Sequence, residues 1–290
     1  MHTALRAPPD RPPRDEEIDV YGLTHPGKMR KDNQDHFLIC SLSKQVVVRQ
    51  TSIPDTDNLV NEPERITSLA MVADGVGGSV KGEEASRIAL EAVTQYVSSS
   101  MRCYYAQRSL DDREFCQALQ DGAHECHTAL LRQGEANPEY QGMATTLTLY
   151  LGIWPRGYLL QVGDSRCYLL RDGELTQITH DQTMAQELVD MGVLPEERAS
   201  ASPFAHTLTS AIGGKQTAPV VTPFEMTWGN VLLLCSDGVT KHVSDERIRD
   251  RLRSMKSARQ VCEALLKDAL DGGGSDNITV VVGRALPSES

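Results

Sequence analysis

Basic residues are the first shortage. The 290-residue chain carries 29 lysines and arginines against 40 aspartates and glutamates, a net charge of −11. Affinity for nucleic acid needs cations clustered against the phosphate backbone, so a general nucleic-acid binder is excluded. Bound cations would offset part of the negative charge. Cysteine gives no framework either: seven residues, an odd number with no CxxC among them, fit a reduced cytoplasmic protein better than a disulfide scaffold. No run approaches transmembrane length and no apolar signal segment opens the chain, so no membrane association is expected. Several catalytic signatures are missing as well. No GxSxG elbow surrounds Ser165, and the glycine-rich stretch from Gly75 to Gly82 lacks the Gly-Lys-Ser/Thr ending of a phosphate loop. His124 and His127 stand three apart rather than the four of a zinc-protease helix, and read as helix-surface residues.

What is present begins at Leu69–Ser79, LAMVADGVGGS. An apolar, strand-like run ends in Asp74, and Gly75, Gly77 and Gly78 follow at once, letting main-chain groups approach an ion or phosphate closely. Val231–Cys235 runs likewise into Ser236-Asp237-Gly238. The order is reversed at Gly274-Ser275-Asp276-Asn277, which feeds the strand from Ile278. With Asp35 as a fourth, these acids form an all-oxygen set, which selects magnesium or manganese over zinc. Two such ions acidify a water and clamp the oxygens of a phosphoryl group. Arg30, five residues before Asp35, is the candidate for orienting the phosphate, because a guanidinium fork takes two oxygens at once.

Residues 1–16, rich in proline and charge, are expected to be a flexible tail, with a short C-terminal tail at 287–290. Because the acids are spread from Asp35 to Asp276, residues 17–286 are read as one domain. Strands are expected at 18–23, 36–42 and 45–49, an exposed hairpin insertion at 52–65, and helices at 79–100 and 109–131. Consecutive strands at 145–153, 157–162 and 167–170 follow without helical crossovers, the last turning at Asp172-Gly173. That favours antiparallel sheets over a doubly wound parallel one. A flap at about 179–206 holds a short helix; strands at 219–224, 231–235 and 278–282 and helices from 244 and 258 complete the chain, with no internal repeat. Helices in two separate pairs point to an α+β fold of two face-to-face sheets, each with a helical layer outside. Cys167 and Cys235 are expected to be buried as small hydrophobes.

From Tyr21 to Val282 the chain resembles the metal-dependent PPM, or type 2C, serine/threonine protein phosphatases in their bacterial form. The motifs stand in the family's order: GKMRKDNQD, VADGVGGSVKGEEAS, GMATTL, VGDSRCYLLRDGELTQIT, LLCSDGVTKHVSDE and SDNITVVV. The resemblance implies an α-β-β-α sandwich and two manganese or magnesium ions per chain. Asp74 would bridge them, the Gly75 carbonyl and Asp35 would serve the second ion, Asp237 and Asp276 would hold the first, and Arg30 would bind the substrate phosphate. Asp164 would be a ligand where a third ion is present; its alternative is a turn acid hydrogen-bonded to Arg166. The flap would border the cleft and influence substrate choice. The implied substrates are phosphoserine and phosphothreonine in targets of a serine/threonine kinase, and the protein is expected to be a cytoplasmic monomer.

Four positions depart from the family pattern. Gln34 stands where glutamate is usual, which keeps an oxygen ligand but removes a charge and is expected to weaken the second ion. Lys241 lies four residues after Asp237, where relatives often place a further acid for the third ion. Val76 replaces the histidine proposed as general acid in eukaryotic relatives, and His25 replaces a common aspartate. Two rival readings are a catalytically silent phosphatase-like scaffold, for which Gln34 is the sole support, and a phosphatase dedicated to one anti-anti-sigma-like protein.

Overall fold

A computed structural model describes residues 11–45, 63–76, 79–99 and 111–287. Within these residues eleven strands form two antiparallel sheets. The first runs β1 (Ile18–His25), β11 (Ile278–Ala285), β10 (Val231–Cys235), β7 (Arg166–Arg171), β8 (Glu174–Gln177). The second runs β2 (Asp35–Lys44), β3 (Glu64–Val76), β5 (Leu147–Ile153), β6 (Arg156–Val162), β9 (Val220–Glu225), with the two-residue β4 (Ala144–Thr145) joined to the end of β3. Helices α1 (Ser79–Ser99) and α2 (Asp112–Ala136) cover the second sheet. Tyr96 meets Gly122 while Cys126 Sγ reaches the Ala89 carbonyl, so the two helices run antiparallel. Helices α5 (Asp245–Arg253) and α6 (Ala258–Asp271) cover the first, after the short α3 (Met184–Asp190) and α4 (Asp237–Thr240).

The layering explains why LAMVA and VLLLC are unbroken apolar runs. Side chains alternate across a strand, and here both faces are buried. On β3, Leu69, Met71 and Ala73 pack toward α1 and α2, whereas Ala70 and Val72 enter the core between the sheets. On β10, Val231, Leu233 and Cys235 face α5 and α6, whereas Leu232 and Leu234 meet Val72 and Leu159 across the sandwich. Cys167 and Cys235 are both fully buried. Burial pushes the Cys235 thiol up to about 12.

Several boundaries differ from the sequence expectation. β2 begins at Asp35, one residue earlier, so Asp35 belongs to the sheet and not to the loop. β3 continues past Asp74 to Val76, because Gly75 and Val76 find partners in Thr145 and Ala144 of β4. Helix α2 runs on to Ala136, with Asp111 as its N-cap accepting from the Arg113 amide. The Asp172-Gly173 turn is as expected, both residues at positive φ. Gln45 lies outside any strand; the rest of the 45–49 strand, most of the 52–65 hairpin, Gly77 and Gly78 fall outside the described residues.

Candidate metal and phosphate site

Each sheet brings acids to the same end of the sandwich. In the second sheet Asp35 and Asp74 stand directly opposite one another on β2 and β3. Asp164 follows at the turn after β6. In the first, Asp237 opens α4 just beyond β10 and Asp276 lies just before β11. All five carboxylates share one field: Asp74 feels Asp35, Asp237, Asp164 and Asp276. Among the described residues, two cations reach them. Arg30 donates Nε to Asp276 Oδ1 at 2.8 Å and Nη2 to Oδ2 at 3.0 Å. Lys241 Nζ lies 2.5 Å from Asp237 Oδ2 and 2.8 Å from Asp276 Oδ2.

Five acids against two cations leave an electrostatic deficit, and the proton affinities record it. Burial, reinforced by Asp35 and Asp237, raises Asp74 well above the usual carboxylate range. Burial also raises Asp35, to about 6, against the opposing hydrogen bonds from Ser236 and Thr279. Asp164, only 7% exposed, goes to about 8 through burial and then the charge of Asp237. Asp276 moves the other way: its burial is outweighed by the hydrogen bonds from Arg30 and Lys241. Two buried carboxylate oxygens here, Asp35 Oδ1 and Asp237 Oδ1, lack a hydrogen-bond partner. An unpartnered buried oxygen is costly, and a hard divalent cation is the chemistry that satisfies it. The donor set therefore fits magnesium or manganese.

A polar scaffold behind the acids fixes their aim. Asp35 Oδ2 accepts from Ser236 Oγ at 2.7 Å and Thr279 Oγ1 at 2.8 Å, and Ser236 Oγ also accepts from the Thr279 amide. Both partners come from the opposite sheet, so this one carboxylate oxygen pins the two sheets together. Thr146 Oγ1 accepts from the Asp74 amide, and the Asp74 carbonyl accepts from Thr145 Oγ1 and the Thr146 amide. Asn277 ties down the Arg30 loop, donating to the carbonyls of Pro26 and Asp32 and accepting from the Gln34 amide.

Two of the glycines also allow the chain to approach itself closely. A methyl on Gly75 would come within 2.0 Å of the Gly82 carbonyl oxygen, and one on Gly238 within 1.8 Å of the Asn277 carbonyl oxygen. They permit backbone-to-backbone packing that seats α1 on β3 and α4 on the approach to β11. Gln34 turns its Oε1 toward Gly82, beside Gly75. The alternative reading of Asp164 as a turn acid bonded to Arg166 does not hold, because Arg166 instead grips Asp181 through Nε and Nη2 and donates Nη1 to Tyr168.

The flap contributes a residue that sequence reasoning missed. Its root is fastened to the Asp164 turn by two bonds, Gly163 amide to Gln182 Oε1 and Gln182 amide to the Gly163 carbonyl. Its far end is held by the Met184 amide on the Thr207 carbonyl, and between these anchors His206 Nδ1 lies 3.7 Å from Asp237 Oδ2. Asp164, His206 and Asp237 offer ligand atoms within 4.8 Å of one another. No motif surrounds His206, and only the flap's path brings it here.

Known proteins of the same build carry the comparison further. PstP of Mycobacterium tuberculosis, a serine/threonine protein phosphatase, is 39% identical over 218 residues, covering 74% of this chain but only 40% of PstP. The chain thus spans well under half the length of that relative. The protein phosphatase PhpP of Streptococcus pneumoniae is 31% identical over 267 residues, 91% of this chain and 96% of its own. The catalytic domain of PstP, solved in complex with two manganese ions, superposes with a TM-score of 0.72 at 31% identity, covering 93% of this chain and 99% of that domain. The family model for protein phosphatase 2C matches residues 48–272, and the chain belongs to that family.

Proposed function

We propose that this chain hydrolyses phosphoserine and phosphothreonine in phosphoproteins, reversing the work of a serine/threonine kinase, with two manganese or magnesium ions. The observation that carries the reading is the meeting of acids from both sheets with two buried carboxylate oxygens left unpartnered. Its support from kinship is the two-manganese domain of PstP. Asp74 would bridge the ions, Asp237 and Asp276 would hold the first, and Asp35 Oδ1 and the Gly75 carbonyl would serve the second. When bound, the ions acidify an attacking water and neutralise charge on the phosphoryl group.

The protein's own residues do the positioning. Arg30, with its side chain 52% exposed and its Nε and Nη2 on Asp276, stands at the rim of the acids, where the outer edge of its guanidinium would orient the phosphate for in-line attack. Ser236 and Thr279 keep Asp35 aimed and oppose the rise that burial gives its proton affinity. No phosphoenzyme is required, which agrees with buried thiols at Cys167 and Cys235. The flap, whose His206 approaches Asp237, exposes the apolar side chains Met184, Met191, Val193 and Phe204, which would suit a polypeptide substrate. The reading places the chain in the cytoplasm as a monomer; no helix among the described residues is long and apolar enough to cross a membrane.

Hydrolysis of an aryl phosphate and of a phosphothreonine peptide, with and without Mn2+, tests the reading. Asp237→Ala is expected to lower the manganese-dependent rate about a thousandfold, since several kcal/mol of charge stabilisation is lost with the ion. Turnover equal to that of the Asp237→Ala protein would leave the scaffold reading in its place.

A further inference from the structure

The second cation of the centre has no task in the reaction as described. Lys241 caps α4, four residues after Asp237, and this one-turn reach brings its ammonium back to Asp237 Oδ2 at 2.5 Å. The same nitrogen donates to Asp276 Oδ2 at 2.8 Å. Its side chain is only 18% exposed, so the contact is shielded from bulk solvent. Asp237 Oδ2 is also the oxygen that faces His206 Nδ1. Lys241 therefore stands at the acid through which Asp164, His206 and Asp237 could gather an ion of their own. Its charge extends to Asp164, whose raised proton affinity it partly offsets.

A divalent ion on that oxygen would sit about 2.0–2.6 Å from it. An ammonium already lies 2.5 Å from the same atom. Two cations so close on Asp237 Oδ2 repel, and the tethered one cannot diffuse away, whereas Asp237 Oδ1, which has no partner, stays open to the first ion. We propose that the Lys241 ammonium takes the place of a third divalent ion beside Asp164 and Asp237, so that the chain carries two exchangeable ions and one built-in positive charge. Asp237 is then shared between a bound ion on one side and a lysine on the other, and the local charge survives dilution of the metal.

This inference rests on the two-ion reading above, and counting ions separates the two. The full chain, freed of metal with chelator, is dialysed to equilibrium against Mn2+ and the manganese per chain is measured by mass spectrometry. The wild-type protein and Lys241→Arg are expected to retain two ions, and Lys241→Asp three. Thermal melts establish that each variant is folded; should Lys241→Asp fail to fold, Lys241→Asn supplies a ligand oxygen without a further acid and is expected to gain the same ion. The manganese dependence of aryl phosphate hydrolysis gives a second readout. Its midpoint should rise at least tenfold in Lys241→Asp, whose added site must be filled from solution. Three ions on the wild-type chain, or two on a folded Lys241→Asp or Lys241→Asn, would overturn the built-in cation while leaving the two-ion centre standing. No ion on the wild-type chain would overturn both.

Discussion

On the outer helix pair, Asp268 lies between Arg247 and Arg251, and each guanidinium donates to both of its oxygens at 2.7–3.0 Å. The hydrogen bonds from Arg251 and Arg247 hold this carboxyl down at about 2. In the cleft, Asp35, Asp74 and Asp164 sit among other acids, and burial drives all three upward. The same residue type is thus placed in opposite electrostatic states within one protein. Asp268 is matched by its own chain, two charges to one, and needs nothing from solution. The cleft acids outnumber the two cations that reach them among the described residues, and folding leaves them short of positive charge. A structural ion pair and a ligand site are told apart by this imbalance rather than by the number of acids.

The contrast predicts opposite pH dependences, and the largest effect is expected at Asp164. Its folded-state pKa of about 8 lies above the ordinary value of 3.8, so the metal-free folded chain binds the extra proton. Stability from this group is fully present below about pH 4 and is lost as pH rises toward 8. Asp35 acts in the same direction over a narrower window ending near 6. In chelator, Asp164→Asn, which never ionises, should be more stable than the wild-type chain at pH 8 by at least ~2 kcal/mol. The gap should shrink toward pH 5. Mn2+ should raise the wild-type melting temperature more at pH 8 than at pH 5. Melting curves that fall in parallel for the two proteins from pH 5 to 8 would erase the distinction between matched and unmatched acids.

A smaller effect should follow from loosening one acid without removing it. Ser236→Ala deletes a donor to Asp35 Oδ2 and an acceptor for the Thr279 amide, leaving the carboxylate in place but less firmly aimed. Losses of about 10–100-fold in metal affinity accompany such changes behind a ligand. Calorimetric titration with Mn2+ should show that loss for Ser236→Ala, with the Asp268→Ala protein unchanged beside it. Equal affinity in Ser236→Ala and wild type would mean that the scaffold behind Asp35 has no part in organising the centre.

The sequence discloses these two kinds of acid unevenly. Asp74, Asp237 and Asp276 are legible because a strand of unbroken apolar residues must end somewhere, and an acid beside glycine at that point stands out. The two-sheet architecture is legible for a related reason: strands buried on both faces read as continuous apolar runs, and hairpin-length links exclude parallel crossovers. The partners of the acids are not legible. Ser236 and Thr279 reach Asp35 across more than 200 residues of chain, and nothing local marks a serine or threonine as one that faces a carboxylate in another sheet. His206 belongs to the flap, whose course depends on its anchors at Gly163 and Met184 rather than on any periodicity. Gly75 and Gly238 signal close approach correctly, yet what approaches is backbone of the same chain. The Lys241 spacing is visible in the sequence, but its second contact, to Asp276, appears only once α4 and β11 are brought together.

The smallest effect belongs to the matched acid. Asp268→Ala leaves Arg247 and Arg251 without their shared partner, but Arg247 is half exposed and both guanidinium groups can turn to water. A loss of about 1 kcal/mol is expected, which in a domain of this size lowers the melting temperature by about 2–4 °C. Because the folded-state pKa is depressed, the contribution of Asp268 is present above its ordinary pKa near 4 and is lost as pH falls toward 2. The gap between wild type and Asp268→Ala should therefore stay flat from pH 5 to 8, the interval over which the Asp164→Asn gap opens, and close only in acid. A chelator-treated Asp268→Ala protein whose deficit grew between pH 5 and 8 would show the outer pair coupled to the cleft, and the two sites would then have to be treated as one electrostatic unit.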